Sequence, residues 1–188
     1  MLSLFNDIPI LPEGFTYQPN FLTPEEEAQW LAEIEKEDLQ NMLFHGYIAK
    51  RKTLHYGWGW SFEDRTLEKG NEIPETFTPL IKKAASRLFV DPLSIAGMLI
   101  TEYPPGAVIN WHRDAPPYEK IIGISLLSDA VFRFRPYDKL KQSRGSIISL
   151  PVQRRSIYMI ENQARREWEH SIEPVNKKRY SVTMRTVR

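Results

Sequence analysis

From residue 96 onward the chain repeats one pattern, a short β-type run followed by a turn signal. The runs are Met98 to Tyr103, Val108 to His112, Ile121 to Leu127, Ala130 to Phe134, Ser146 to Leu150, Ser156 to Ile160 and Tyr180 to Thr186. Seven short strands within about 95 residues predict an antiparallel sandwich or jelly roll. Val131 to Arg135 alternates strictly, as a half-buried strand does, and sets Arg133 and Arg135 on one face.

Upstream the pattern is helical. Thr23-Pro24-Glu25-Glu26 supplies an N-cap, a proline at the first helical position and a glutamate that completes a capping box. It predicts a helix from Pro24 to Leu39 whose Ala28, Leu31, Ile34 and Leu39 pack inward while the glutamates stay in water. A second helix is expected from Pro79 to Leu88 and ends at Asp91-Pro92. No internal repeat or Gly/Ser-rich linker divides the chain, so 1–188 is read as one domain. Residues 1–95 form a helical support and lid, and 96–188 form the core. The fold class is mainly β (α+β), with N-terminal supporting helices.

A chain of 188 residues buries roughly 70% of its extended surface and needs no disulfide or metal to fold. The absence of cysteine excludes a disulfide framework, a thiolate zinc site, an iron–sulfur cluster and a cysteine nucleophile. Metal chemistry is left to His, Asp and Glu. The stretch Met1 to Asp7 lacks the basic start of a secretory signal, and no run reaches the ~20 apolar residues of a membrane span. A cytoplasmic monomer with no membrane association is expected. Residues 1 to 75 carry a net charge of −8 and residues 76 to 188 one of +9, so the second part could meet a phosphate or another anion.

His112-Arg113-Asp114 places an imidazole and a carboxylate at i and i+2, on one face if the segment is extended. His170 is the one histidine downstream, on another strand edge, and a jelly roll can bring it to the same place. Two imidazoles and one carboxylate leave three positions of an Fe(II) open. In Arg179-Tyr180-Ser181-Val182-Thr183-Met184-Arg185 the two arginines are six residues apart, again on one face of a strand. Turned inward they need carboxylates, which a small metal-chelating diacid would supply; turned outward they are solvated.

The order His112-Arg113-Asp114, His170, then Arg179 to Arg185 resembles the AlkB family of iron(II) and 2-oxoglutarate-dependent dioxygenases. Ile100 to Ala107 and Ile122 to Leu127 resemble the family strands on either side of the HxD. The resemblance implies a double-stranded β-helix with Fe(II) on His112, Asp114 and His170. It further implies 2-oxoglutarate held by Arg179, Tyr103 and Arg185, with O2 as co-reactant. Thr101 and Ser181 stand where family members often carry Asn, and both still hydrogen-bond. The implied activity is oxidative dealkylation of alkylated DNA or RNA, single-stranded or with the base flipped. A carbon attached to nitrogen is hydroxylated and leaves as an aldehyde. The same chemistry on a methylated protein residue or small molecule, and a non-catalytic jelly-roll binding module, are the alternatives.

Lys50 to Trp60 combines cations, aromatic faces and glycines, as a lid that stacks on a base and holds phosphates would. Arg51, Tyr56, Trp58 and Trp60 are its candidate substrate contacts; an aromatic hairpin with the three rings on one face is the structural alternative. Where several relatives read the damaged base with an acidic residue, this chain has Pro116, which leaves Tyr118, Glu119 or the Tyr56 segment as candidates. Lys139, Lys141, Arg144, Arg154, Arg155, Arg165 and Arg166 are further cations that would form a phosphate-binding rim if they flank one cleft. Arg133 and Arg135 would join them or cover apolar neighbours. His55 is read as a structural or surface histidine rather than a metal ligand, and His45 has no evident role.

Overall fold

The structure is a computed structural model that describes residues 10–44, 47–61 and 63–188. Met1 to Asp7 and His45 lie outside the described residues. Two antiparallel sheets face each other. The larger follows the order β1 (Phe15–Gln18), β10 (Ile157–Ile160), β7 (Tyr118–Leu126), β12 (Arg179–Val187), β5 (Ile95–Tyr103), β3 (Tyr47–Ser61), β2 (Gln40–Phe44), with β4 (Thr66–Lys69) hairpinned onto β3. The smaller runs β6 (Ile109–His112), β11 (Trp168–Ile172), β8 (Ala130–Pro136), β9 (Ile148–Val152). This is the jelly roll expected from the strand pattern, and each of the seven expected runs holds a strand.

Two apolar clusters hold the layers together, and the large sheet separates them. On its outer face Met98, Ile100, Ile122, Ile124, Val182 and Met184 meet α1 (Pro24–Ile34) and α2 (Thr78–Arg87) through Trp30, Ile34, Leu80 and Ala84. On its inner face Tyr103, Tyr118, Ile121 and Tyr158 meet Phe132, Phe134 and Ile172 of the small sheet. Alternation along each central strand therefore sends one set of residues to the helices and the other into the space between the sheets. The outer set is almost wholly aliphatic; the inner set carries the polar groups.

Residues 1–95 give more than helices. They add β1 to β4, and β3 pairs with β5 from Lys52 through Gly57. The capping box at Thr23 forms as expected, with Glu26 N–H donating to Thr23 Oγ1 at 3.2 Å and Thr23 N–H donating to Glu26 Oε2 at 2.8 Å. The helix it starts ends at Ile34, five residues before Leu39. Glu35 to Asp38 are all charged and give another turn nothing to bury, so Leu39 reaches the same cluster from the turn. Nor do all the glutamates stay in water. Glu27 is 1% exposed, accepts the Leu127 N–H at 2.8 Å and is paired with Arg154, which fastens α1 to the sheet. Among the described residues no helix is long and apolar enough to cross a membrane.

Candidate metal centre

β6 and β11 are neighbours, and their register sets His112 opposite His170. Cross-strand partners share a face, so the two imidazoles enter the inner space together, with ring centroids 4.3 Å apart. Asp114 follows β6 by two residues and turns to the same point. One nitrogen from each histidine and one carboxylate oxygen lie within 4.8 Å of one another. Three such atoms bind a small cation from one side and leave the other side open.

Local hydrogen bonding sets the histidine for this. His112 Nδ1 lies 2.9 Å from the Asn110 carbonyl, which can only accept. The neutral ring therefore carries its proton on Nδ1 and presents the Nε2 lone pair. Burial, reinforced by the neighbouring His112, pushes His170 down to about 3. Burial pushes the Asp114 carboxyl up, but Arg185 and the two imidazoles outweigh it and hold the group at about 2. At neutral pH His170 is thus neutral and Asp114 ionised, the states that a cation needs.

Behind this centre the inner face of β12 carries a buried row of polar groups. The register sets Arg179 against Tyr103, and Ser181 between Thr101 and Ser125. Arg179 has no exposed surface. Its Nε donates to Ser125 Oγ at 3.0 Å and its guanidinium lies 4.8 Å from the centre of the Tyr103 ring, yet both Nη atoms are buried without a partner. Burying a cation with most of its donors unmet costs several kcal/mol, and a carboxylate with two oxygens meets that need. At the other end of β12 Arg185 reaches Asp114 Oδ1 at 3.5 Å and lies over the Tyr118 ring at 4.9 Å. A small diacid with one end on the metal and the other on Arg179 fits these donors.

The structure also places residues beside this row that the sequence did not single out. Ser125 orients Arg179. Tyr158 is paired with Gly123, and its ring crosses that glycine so closely that a Cβ there would lie 2.1 Å away. Burial keeps the Tyr158 proton on well above the ordinary phenol range, so its hydroxyl is a donor on the inner face. The readable signal was Gly123 and Ser125, two small residues at i and i+2 of an apolar run. Small inward positions make room on a buried strand.

The candidate substrate contacts divide. Tyr118 is 4% exposed and stands beside Asp114, inside the site. Arg51 donates to the Val108 carbonyl at 3.3 Å, just ahead of β6. Trp60 packs in the inner cluster and Trp58 is 40% exposed. Tyr56 leaves the set, because it is buried in the outer cluster against Phe77 and donates its hydroxyl to Glu37 at 2.5 Å. The three rings do not share a face because Gly57, at φ +71°, breaks the alternation between them. Arg133 and Arg135 do not join a rim. They lie over Trp111 on the outer face of the small sheet, paired with Glu173 and Glu169. His55 lies on the inner face of β3, where burial and Arg185 push it down to about 4.

Comparison with known proteins agrees with this geometry. The family model of the 2OG-Fe(II) oxygenase superfamily matches residues 14–188. The tRNA (carboxymethyluridine(34)-5-O)-methyltransferase alkbh8 of Xenopus tropicalis is 26% identical over 177 residues, which cover 88% of this chain and 26% of that protein. The Alkylated DNA repair protein ALKBH8 homolog of Arabidopsis thaliana is 27% identical, covering 85% of this chain and 50% of that protein. The chain thus spans about a quarter to a half of the length of these relatives. Among solved structures, OsALKBH1 superposes with a TM-score of 0.73 at 15% identity, covering 94% of this chain and 98% of that one. A Pseudomonas putida prolyl-4-hydroxylase superposes at 0.59, also with 15% identity, over 93% of each chain. This chain therefore belongs to the 2OG-Fe(II) oxygenase superfamily, as a dioxygenase whose cofactors are Fe(II), 2-oxoglutarate and O2.

Proposed function

We propose that this dioxygenase removes alkyl groups from nucleobases in DNA or RNA by oxidation. The observation that carries the reading is Arg179, fully buried with both Nη atoms unmet, on the inner face that leads to His112, Asp114 and His170. In this reading the two histidines and Asp114 hold Fe(II). Arg179 and Tyr103 take the far carboxylate of 2-oxoglutarate, with Thr101 and Ser181 beside them, and Arg185 steadies Asp114 near the metal end. Bound iron, with 2-oxoglutarate and oxygen, supplies the oxidation that hydroxylates a carbon attached to nitrogen. In this reading Tyr118, Trp60 and Arg51 meet the base and its backbone, and the apolar inner cluster, to which Tyr118 and Trp60 belong, keeps water from the metal. A nucleic-acid substrate is supported by the relatives, whose names refer to tRNA and to alkylated DNA.

The test loads the chain with Fe(II) and 2-oxoglutarate without oxygen. It then admits oxygen in the presence of methylated or etheno-bridged single-stranded DNA and RNA, and reads the bases by mass spectrometry. Restored bases that depend on both iron and 2-oxoglutarate are expected. Succinate with every base unchanged would overturn the substrate class and move the search to protein residues or small molecules.

A further inference from the structure

Beside the metal centre lies a cavity of about 380 Å³, within the range of small-ligand pockets, and Asp114 and Tyr118 form part of its wall. Most of its remaining charge is positive. Arg113, Arg165, Arg166 and Arg188 all line it, brought together from the loop after β6, from the short helix α3 (Asn162–Arg166) and from the residue after β12. Among the described residues none of the four has a carboxylate within ion-pair distance. The acidic residues on the wall do not answer them. Glu161 is paired with Lys120 at 3.2 Å, Asp114 faces Arg185 and the two imidazoles, and only Glu119 is left.

Arg165 shows that the cluster is built rather than accidental. It is 8% exposed, and its Nη2 donates to the carbonyls of Asp114, at 2.9 Å, and Ala115, which fixes the guanidinium against the loop that carries the metal ligand. Its Nε is buried without a partner. Arg113 is held in turn, stacked 3.4 Å over the Tyr137 ring and donating to the Arg166 carbonyl at 2.7 Å. Four guanidiniums gathered in one concave wall repel one another unless an anion lies among them, and a phosphate with several acceptor oxygens suits the guanidinium fork.

We propose that this cavity is a phosphate subsite, which takes a backbone phosphodiester of the nucleic-acid strand whose base reaches the metal centre. The proposal rests on the nucleic-acid reading above and adds to it where the strand is held. It assigns Arg165 as the fixed donor, with Arg166 and Arg188, both at the surface, as the cations that close on the phosphate.

The experiment measures binding of a fluorescent single-stranded RNA to the intact chain across about 50 to 200 mM salt, where each neutralised phosphate contributes about 0.7 to the slope of log K against log salt. Arg166→Gln with Arg188→Gln should make the slope shallower by up to about 0.7, the share of the one phosphate held there, with the thermal midpoint unchanged. Arg166→Lys with Arg188→Lys should keep the original slope, since the phosphate is still neutralised. Inorganic phosphate, compared with chloride at equal ionic strength, should weaken RNA binding to the unaltered chain more than to the glutamine variant. If the chain binds RNA with a steep slope that the glutamine variant keeps, the subsite is overturned and the nucleic-acid reading stands. If the unaltered chain shows no salt-dependent binding of RNA or DNA, both fall, and phosphate bound alone would mark a site for a free anion.

Discussion

A guanidinium sealed inside an oxygenase with two nitrogens unmet is expensive unless its partner arrives with the cosubstrate, and Arg179 is in that position. Arg179→Met keeps the volume and removes the charge. It should weaken 2-oxoglutarate binding at least tenfold, the scale of a lost charge-assisted pair at about 1.5–3 kcal/mol, while the thermal midpoint of the ligand-free chain holds or rises. Unchanged affinity by calorimetry would take Arg179 out of the site. His112→Ala removes a ligand whose ring is fixed through Asn110. Iron affinity should fall by about 100-fold or more and iron-dependent succinate formation should stop; a full-strength iron site in that variant would contradict the ligand set.

His55 makes a separate prediction at the same scale. Its folded pKa, about 4, lies below the ordinary 6.5 because burial and Arg185 disfavour the cation, and His170 is shifted in the same direction. The unfolded chain takes up those protons first as pH falls, so these two groups make the metal-free protein lose stability from about 6.5 down to about 3, with the His55 share complete by about 4, and change nothing above that window. His55→Asn should flatten the fall in thermal midpoint across it. A slope equal to that of the unaltered chain would show that His55 carries none of the effect.

At the scale of elements, β7 and β10 share one steric fact. Gly123 leaves the space that the Tyr158 ring fills, so Gly123→Ala sets a methyl 2.1 Å from that ring. Overpacking of this kind costs about 1–3 kcal/mol, and it should also weaken 2-oxoglutarate binding by moving Tyr158. Chemical denaturation of the single variant and of Gly123→Ala with Tyr158→Val measures the coupling: the second change should recover most of the stability. Simple additivity of the two losses would mean that the ring and the glycine do not constrain each other. This contact was not legible in the sequence, because neither residue type announces a pairing across strands that are more than thirty positions apart.

The strands of the second half were legible, because each buries one set of residues and its alternation or apolar run survives in the sequence. The first half was harder to read. β1 is four residues long, too short for a period to show, and β3 mixes Lys50, Arg51 and Lys52 with Gly57 and Gly59, which look like a loop. The Tyr56, Trp58, Trp60 alternation assumed an unbroken strand. Gly57 instead adopts a positive φ and donates its N–H to the Asn71 carbonyl at 2.7 Å, which sends Tyr56 to the helices. In the sequence Arg165 and Arg166 are one more pair of candidate rim cations, and only the fold shows that Arg165 is buried and tied to the Asp114 and Ala115 carbonyls.

For the whole molecule, the fold does one thing that no element does alone. The small sheet supplies both histidines, the loop after it supplies Asp114, and the large sheet supplies Arg179 and Arg185, so the site exists only when the two sheets face each other. Ligands that bind this assembled state stabilise it by mass action. The central claim is that one metal and one diacid share the space between the sheets. The most direct measurement is anaerobic calorimetry of 2-oxoglutarate into the Fe(II)-loaded chain, repeated without iron and with Arg179→Met. The structure predicts one saturable site per chain, weakened at least tenfold when either iron or the guanidinium is removed. Binding that is indifferent to both would contradict it.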